Sequence, residues 1–399
     1  MSEPAKTLND VCEFIVDCLH ATAPIQEEGY PLIRTPNIGK GRLKLDGVYR
    51  VSEETYEKWT RRAVPEPNDL ILAREAPAGN VAVIKEGQQV CLGQRTVHLR
   101  PDLKQVNPDF LCYFLLAPQQ QGALLAGETG ATAKHVNMKD IRRLPLKKLP
   151  KLSVQHRIAS TLSAYDDLIE NNRRRIHLLE EAARLLYREW FVHLRFPGHE
   201  RVRVVDGVPE GWEVKRLGDV CYEHADRVDP TQLEPSVPYI GLEHIPRRSI
   251  TLNVWGSAND VTSTKYRHEK GDILFGKIRS YFHKVGITFS DGITSSDAIV
   301  IRPHSPNLRN FVLMLVSSDW FVAVASKTAN EGSKMPRANW DHLVRTYEVL
   351  VPSAQVLSAF DVTLTSIVAQ LETLSLQNHK LQQARDLLLP RLMNGEIEV

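Results

Sequence analysis

The chain says the same thing twice. Leu8-Asn9-Asp10-Val11-Cys12 returns as Leu217-Gly218-Asp219-Val220-Cys221, and Asn68-Asp69-Leu70-Ile71-Leu72 returns as Gly271-Asp272-Ile273-Leu274-Phe275. Lys139-Asp140-Ile141 ahead of Pro150 is answered by Trp340-Asp341-His342 ahead of Pro352. The offset of about 200 residues far exceeds a solenoid unit of about 20 to 50, so each copy is long enough to hold a domain with its own core. The expected molecule is pseudo-twofold, with two similar sites.

Each copy divides into an irregular part and a long helix. Residues 1–150 mix Gly and Pro punctuation, β-branched runs such as Val81-Ala82-Val83-Ile84 and a helical patch near Phe110, which reads as α+β. From Ser153, a plausible N-cap, neither Gly nor Pro appears until Pro197. Steps of four and three pick out Ile158, Leu162, Tyr165, Ile169, Asn172, Ile176, Leu179, Ala183 and Leu186, a heptad seam with one polar member. The second copy repeats it with Phe360, Leu364, Ile367, Leu371, Leu374, Asn378, Leu381, Arg385 and Leu388, bracketed by Pro352 with Ser353 and by Pro390. Asn172 and Asn378 either fix register and partner choice or are tolerated polar residues near solvent. A helix over 153–190 would reach ~57 Å. Phe196-Pro197-Gly198 and Asp206-Gly207-Val208-Pro209-Glu210-Gly211-Trp212 mark a boundary between the copies. The expected order is a first domain at 1–150, a first long helix at 151–195, a linker and second domain at 196–352, and a second long helix at 353–399. The economical assembly is an antiparallel coiled coil with a globular domain at each end, a ruler.

Composition narrows the function classes. With 42% hydrophobic and 25% charged residues the chain reads as an ordinary multidomain protein. No apolar run is expected to reach the roughly 18 residues of a membrane span. Glu3, Asp10, Glu13 and Asp17 do not make a signal peptide, so a cytoplasmic location is expected. Cys12, Cys18, Cys91, Cys112 and Cys221 are scattered without a C-x-x-C pair, as reduced, partly buried thiols would be. The net charge of +2 leaves any nucleic-acid function to local clustering.

Catalytic motifs are approached and missed. Gly271-Asp272-Ile273-Leu274-Phe275-Gly276-Lys277 fits the phosphate-cradling spacing, but Ile278 stands where the magnesium-holding Ser or Thr belongs. The alternation after it reads as strand where a P-loop needs a helix. Asn107-Pro108-Asp109-Phe110 approaches the base-holding loop of amino-methyltransferases, yet Asp109 breaks it, leaving a helix start. Glu213-Val214-Lys215 lacks the upstream Asp of a nuclease triad, and the 14 histidines show no metal spacing. No cofactor, metal or catalytic centre is expected.

What remains is binding surface. Lys277, Arg279, Tyr281 and His283 alternate in a strand-like run, with Lys284 beside them, so period two would set the first four on one face. Lys and Arg neutralise phosphates while polar side chains read base edges. Gly332-Ser333-Lys334-Met335-Pro336-Arg337-Ala338-Asn339 adds a polar loop, matched by Gly130-Ala131-Thr132-Ala133-Lys134-His135-Val136-Asn137. Both sit just before a strand expected to lead into a long helix. Asn pairs bidentately with adenine, and Arg or Lys with guanine. The candidate DNA-contacting residues are Arg74, Lys134, His135, Asn137, Lys277, Arg279, Tyr281, His283, Lys284, Lys334, Arg337 and Asn339, with Arg337, Asn339, Lys134 and Asn137 favoured for sequence reading. A self-contained methyltransferase or nuclease and a coiled-coil scaffold without DNA contact are the competing readings.

At this point the chain resembles the specificity subunits of type I restriction-modification systems. The resemblance rests on Leu217-Gly218-Asp219-Val220 after Pro209-Glu210-Gly211-Trp212, Gly271-Asp272-Ile273-Leu274, Gly332-Ser333-Lys334, Gln155-His156-Arg157-Ile158-Ala159, Glu189-Trp190-Phe191 and the run from Leu387 through Pro390 and Gly395 to Ile397. It covers essentially the whole chain. It implies two target recognition domains, each reading half of a split double-stranded DNA sequence. It also implies long helices that space them and dock two DNA adenine methyltransferase subunits, to which restriction and translocation subunits attach. Catalysis would belong to those partners.

Overall fold

The computed structural model describes residues 6–126, 135–146, 149–329 and 334–398. The chain forms two compact units, one of residues 1–169 with 380–399 and one of residues 170–379.

In the first unit a five-stranded sheet has the order Cys12–Asp17, Thr96–Pro101, Leu70–Ala73, Val81–Val83, Gly41–Arg42. The last pair is parallel and the others antiparallel. The four residues of Leu70–Ala73 are all buried because both faces of the strand are covered. Leu70 and Leu72 enter one core with Val97, Leu99 and Phe110, while Ile71 and Ala73 enter another with Ile33, Ile38 and Ile84. A smaller sheet orders Arg50–Val51, Tyr30–Ile33 and Cys91–Leu92. Helix Pro108–Leu116 starts where Asn107 accepts a hydrogen bond from the Phe110 amide at 2.9 Å, the ordinary N-cap expected there.

The second unit repeats this frame. Its four-stranded antiparallel sheet runs Cys221–Glu223, Ala298–Pro303, Ile273–Gly276, Val285–Ile287. Ile273 and Phe275 face one core and Leu274 the other, the alternation of the first unit. A five-stranded sheet orders Arg227–Val228, Lys265–His268, Gly292–Thr294, Pro238–Ile240 and Gly256–Ser257.

The sequence repeat has a local physical basis. Asn68 and Gly271 both sit in the left-handed region, at φ 75° and 92°, where Asn and Gly are favoured. The next residue in each copy is a buried aspartate. Asp69 accepts from Arg100 Nε and Nη2 at 2.9 and 2.8 Å and from the Glu66 amide at 2.9 Å. Asp272 accepts from Arg302 Nε and Nη2 at 2.7 and 2.9 Å and from the Glu269 amide at 2.7 Å. Likewise the Thr7 and Arg216 amides donate to Asp10 and Asp219 at 2.8 and 3.0 Å, seating Leu8 and Leu217 in their cores.

The long helices span Leu152–Tyr187, 36 residues, and Ala354–Met393, 40 residues. Neither is a separate domain: each is shared between the two units, a division that differs from the expected boundaries. In both units their segments run antiparallel. In the first, Arg385 pairs with Asp166 and Leu392 joins the core of Ile158 and Leu162. In the second, Asn172 Nδ2 reaches Gln377 at 3.4 Å and Tyr187 meets the Phe360 ring at 6.4 Å.

Three details differ from the sequence reading. The buried series of the first helix is Ile158, Leu162, Asp166, Ile169, Asn172, Ile176, Glu180, Ala183 and Tyr187. It drifts from the heptad positions Tyr165, Leu179 and Leu186 because a straight α-helix turns every 3.6 residues. In the second helix Phe360, Leu364, Leu371, Leu374 and Asn378 are buried as the seam predicts, and Ile367 packs against the same core. The first helix begins at Leu152, since the Val154 and Gln155 amides already donate to the Lys151 carbonyl, and its last turn widens to a π-turn over Arg188–Val192. The second runs through Pro390 to Met393, its last turn held by buried Leu392. That helix is also long and apolar enough to cross a membrane by length and average composition, though it holds no unbroken apolar run of that length, as expected. Here its apolar residues Phe360, Leu364, Leu371 and Leu374 are core.

Candidate nucleic-acid interface

At the end of the central strand each unit builds the same main-chain frame. In the second unit the Lys277 amide donates to Asp297 O at 2.9 Å, and the Ala338 amide donates to Lys277 O at 2.9 Å. The Arg279 amide donates to Pro336 O at 2.8 Å, and Arg279 Nη2 donates to Lys334 O at 3.1 Å. The two basic segments singled out from sequence therefore lie side by side. In the first unit the Arg74 amide donates to Arg95 O at 2.9 Å and the Val136 amide donates to Arg74 O at 3.0 Å. Arg74 and Lys277 are equivalent, as are Val136 and Ala338.

The expected strand face over Lys277 to His283 does not form. The strand ends at Gly276, and Arg279 and His283 adopt φ 48° and 54° on either side of a 3-10 turn, Ser280–Phe282. With two left-handed residues the period-two alternation is lost. His283 is buried, donates through Nε2 to Ser317 O at 2.8 Å, and burial lowers its pKa. Lys284 is half-buried, donates to Leu242 O, and burial lowers its pKa too. Both support the fold. Lys277, Arg279, Lys334 and Arg337 lie on the two paired segments with Tyr281 beside them; Tyr281 is exposed and Arg337 pairs with Asp297 at 3.3 Å.

Asn339 caps helix Trp340–Thr346, its Oδ1 accepting from the His342 amide at 3.0 Å. Asn137 precedes helix Met138–Arg143, and its Nδ2 reaches Asp140 at 3.4 Å. A short helix follows each asparagine, and in the second unit the expected strand, Glu348–Val351, comes after it and leads into the long helix. Both asparagines are engaged in helix starts, which explains their recurrence. Arg74 is tied down: Nε donates to Val136 O at 3.0 Å and Nη1 pairs with Asp17 at 2.8 Å, leaving the side chain 13% exposed. His135 lines an open cleft of about 350 Å³ with His20, Arg74, Glu75, Gln94 and Arg95. Lys134 and the Gly-containing stretches 130–133 and 332–333 lie outside the described residues.

Sequence reading missed Arg95. It sits at φ 68°, is 55% exposed, and pairs through Nε with Glu75 at 2.6 Å. Its place opposite Arg74 depends on a main-chain bond between distant segments, which no local pattern announces. Burial pushes the thiols of Cys12, Cys18, Cys91 and Cys221 up to about 12, far from nucleophilic at neutral pH.

Residues 4–181 match the type I restriction modification DNA specificity domain. The chain is 23% identical over 371 residues to the type I restriction enzyme MjaIX specificity subunit of Methanocaldococcus jannaschii, covering 88% of this chain and 83% of that one. It is 22% identical over 369 residues to the HindI specificity subunit of Haemophilus influenzae, covering 75% and 79%. Its fold is similar to that of the type I restriction-modification S subunit from M. genitalium, with a TM-score of 0.57, 16% identity and coverage of 98% and 95%. Two copies of one α+β frame, the first matching a DNA specificity domain, joined by long antiparallel helices, define a two-repeat DNA-specificity chain. Residues 4–181 thus carry the type I restriction modification DNA specificity domain, and over most of its length the chain is similar to specificity subunits of type I restriction-modification systems.

Proposed function

We propose that this chain is the non-catalytic DNA-reading subunit of a cytoplasmic type I restriction-modification complex, each repeat reading one half of a split duplex target. The observation that carries the reading is the recurrence of one main-chain frame with different side chains: Arg74, Arg95 and His135 in the first repeat, and Lys277, Asp297 and Arg337 in the second. A shared frame with divergent side chains is what two unlike half-sites need, since phosphate contacts position a protein and base contacts specify. Methyltransferase subunits dock on the long helices, restriction subunits attach through them, and the helices set the unread spacer.

The test is expression of the chain with its methyltransferase partner in a host, followed by mapping of methylated adenines. A split motif that disappears when this chain is omitted supports the reading. Methylation, nuclease or nucleotide hydrolysis by the partner-free chain, abolished by one substitution in it, overturns it.

A further inference from the structure

We infer that Arg95 in the first repeat and Arg337 in the second are guanine-reading residues, and that the position shared by Arg95 and Asp297 is where the two half-site specificities diverge. The inference rests on the DNA-reading function proposed above and names the base class each repeat reads.

Residues 95 and 297 occupy one place in the frame, because each carbonyl accepts the equivalent amide, Arg74 or Lys277, at 2.9 Å. The charges there are opposite. In the first repeat the arginine stands on this turn, and its carboxylate partner, Glu75, follows Arg74. In the second the carboxylate, Asp297, stands on the turn and holds Arg337, which comes from the loop corresponding to His135 and is 54% exposed. Carboxylate and guanidinium have exchanged elements, yet each repeat still presents an exposed arginine steadied by an acid, Arg95 by Glu75 and Arg337 by Asp297, with Arg279 of the second repeat also exposed but bonded to Lys334 O.

Three physical points make this a base-reading arrangement at Arg95, and Arg337 is assigned by its equivalent place and exposure, its own acid contact being a long one of 3.3 Å through Nη2. Arg95 holds a left-handed conformation at φ 68°, which is unfavourable for a long side chain and recurs at functional sites. Arg74, its cationic neighbour, is already neutralised by Asp17 and nearly buried, so the exposed charge at this turn is Arg95. The Glu75 contact is made through Nε, and the edge formed by the two terminal nitrogens has the planar fork that matches guanine O6 and N7 in the major groove.

The experiment selects a duplex library with a randomised centre on the full-length chain and on its Arg95→Ala, Arg95→Gln and Arg337→Ala variants. Wild type should enrich a split consensus with guanine in both halves. Arg95→Ala should lose the guanine preference in one half by about tenfold or more, one bidentate contact, and keep the other half intact. Arg337→Ala should do the reverse, and Arg95→Gln should shift the affected position toward adenine. If Arg95→Ala enriches nothing, the Arg95→Gln variant decides the matter by the same criterion. Retention of both guanines in the Arg95 variants overturns the inference. So does a uniform weakening of all sequences with a salt slope lower by about one, which marks a phosphate contact. A wild-type chain that enriches no sequence defeats the DNA-reading function itself, and this inference with it.

Discussion

Replacing Asp69 with Asn should unlock the first repeat and leave the second alone. The Asp69 side chain is 3% exposed and holds the Arg100 guanidinium through two contacts, His98 Nε2 at 2.6 Å and the Glu66 amide. Asparagine removes the charge and turns an amide donor toward groups that are themselves donors. Breaking a buried pair by losing one partner costs about 3 to 5 kcal/mol. Arg100 is 23% exposed, so water recovers part of its charge and about 3 kcal/mol is expected. Hydrogen exchange of the full-length chain reads this unit by unit. Amides of Leu70–Ala73 should exchange about 100-fold faster, while those of Ile273–Gly276 keep their wild-type rates. The acid side gives a second reading. Burial alone would raise the Asp69 pKa, but Arg100, His98 and the Glu66 amide outweigh it, and the folded value lies below 3.8. The unfolded chain therefore takes up the proton first. The contribution is complete above the unfolded pKa and is lost as pH falls through the lower folded one. The gap between wild type and Asp69→Asn should close over that range. Acceleration below about fivefold at neutral pH, roughly 1 kcal/mol, would refute the view that this carboxylate secures the repeat.

Asp166, which accepts from Tyr113 Oη at 2.5 Å and pairs with Arg385, should cost about 3 kcal/mol when changed to Ala. The double variant Asp166→Leu with Arg385→Met should regain most of that in urea unfolding, because no unpaired charge is left. Leu162→Asp should destabilise the first unit and Leu364→Asp the second by several kcal/mol each, since both leucines are fully buried; exchange rates confined to the respective unit will report it. His268 is buried, and desolvation lowers its pKa to about 4, so the unfolded chain binds that proton more readily between the ordinary 6.5 and 4. Stability of the second unit should fall as pH drops through this window, and a pH series on His268→Leu should show the slope reduced.

The duplication was legible because its chemistry is local. An aspartate after a left-handed Asn or Gly, read by an arginine on the neighbouring strand, leaves the same short signature at Asp69 and at Asp272. The long helices were legible through their apolar period. Their exact buried face was not, because Asp166 and Glu180 are buried by partners far away in sequence, Tyr113 and Arg385 for one and Ser249 and Thr251 for the other. The run from Lys277 to Lys284 misled for a similar reason. Alternation over a few residues is weak, and nothing in Arg279 or His283 announces a positive φ. The Lys277 and Arg337 segments were each singled out from the sequence as basic and polar. That they pair through the main chain, and that Arg95 lines the first unit's cleft, follows from contacts between segments separated by tens of residues.

The division of the chain imposes an order on its synthesis. The second unit is one continuous stretch, 170–379, whereas the first is assembled from residues 1–169 and 380–399. As the polypeptide leaves the ribosome, the earlier-made sheet must wait with Ile158 and Leu162 lacking Leu392, and with Asp166 lacking Arg385, until the last segment emerges. The later-made unit can close first, reversing the usual N-to-C order in which domains mature during translation. A chain truncated near residue 380 is therefore expected to be folded in its second unit and open in its first, which hydrogen exchange on that truncation would read.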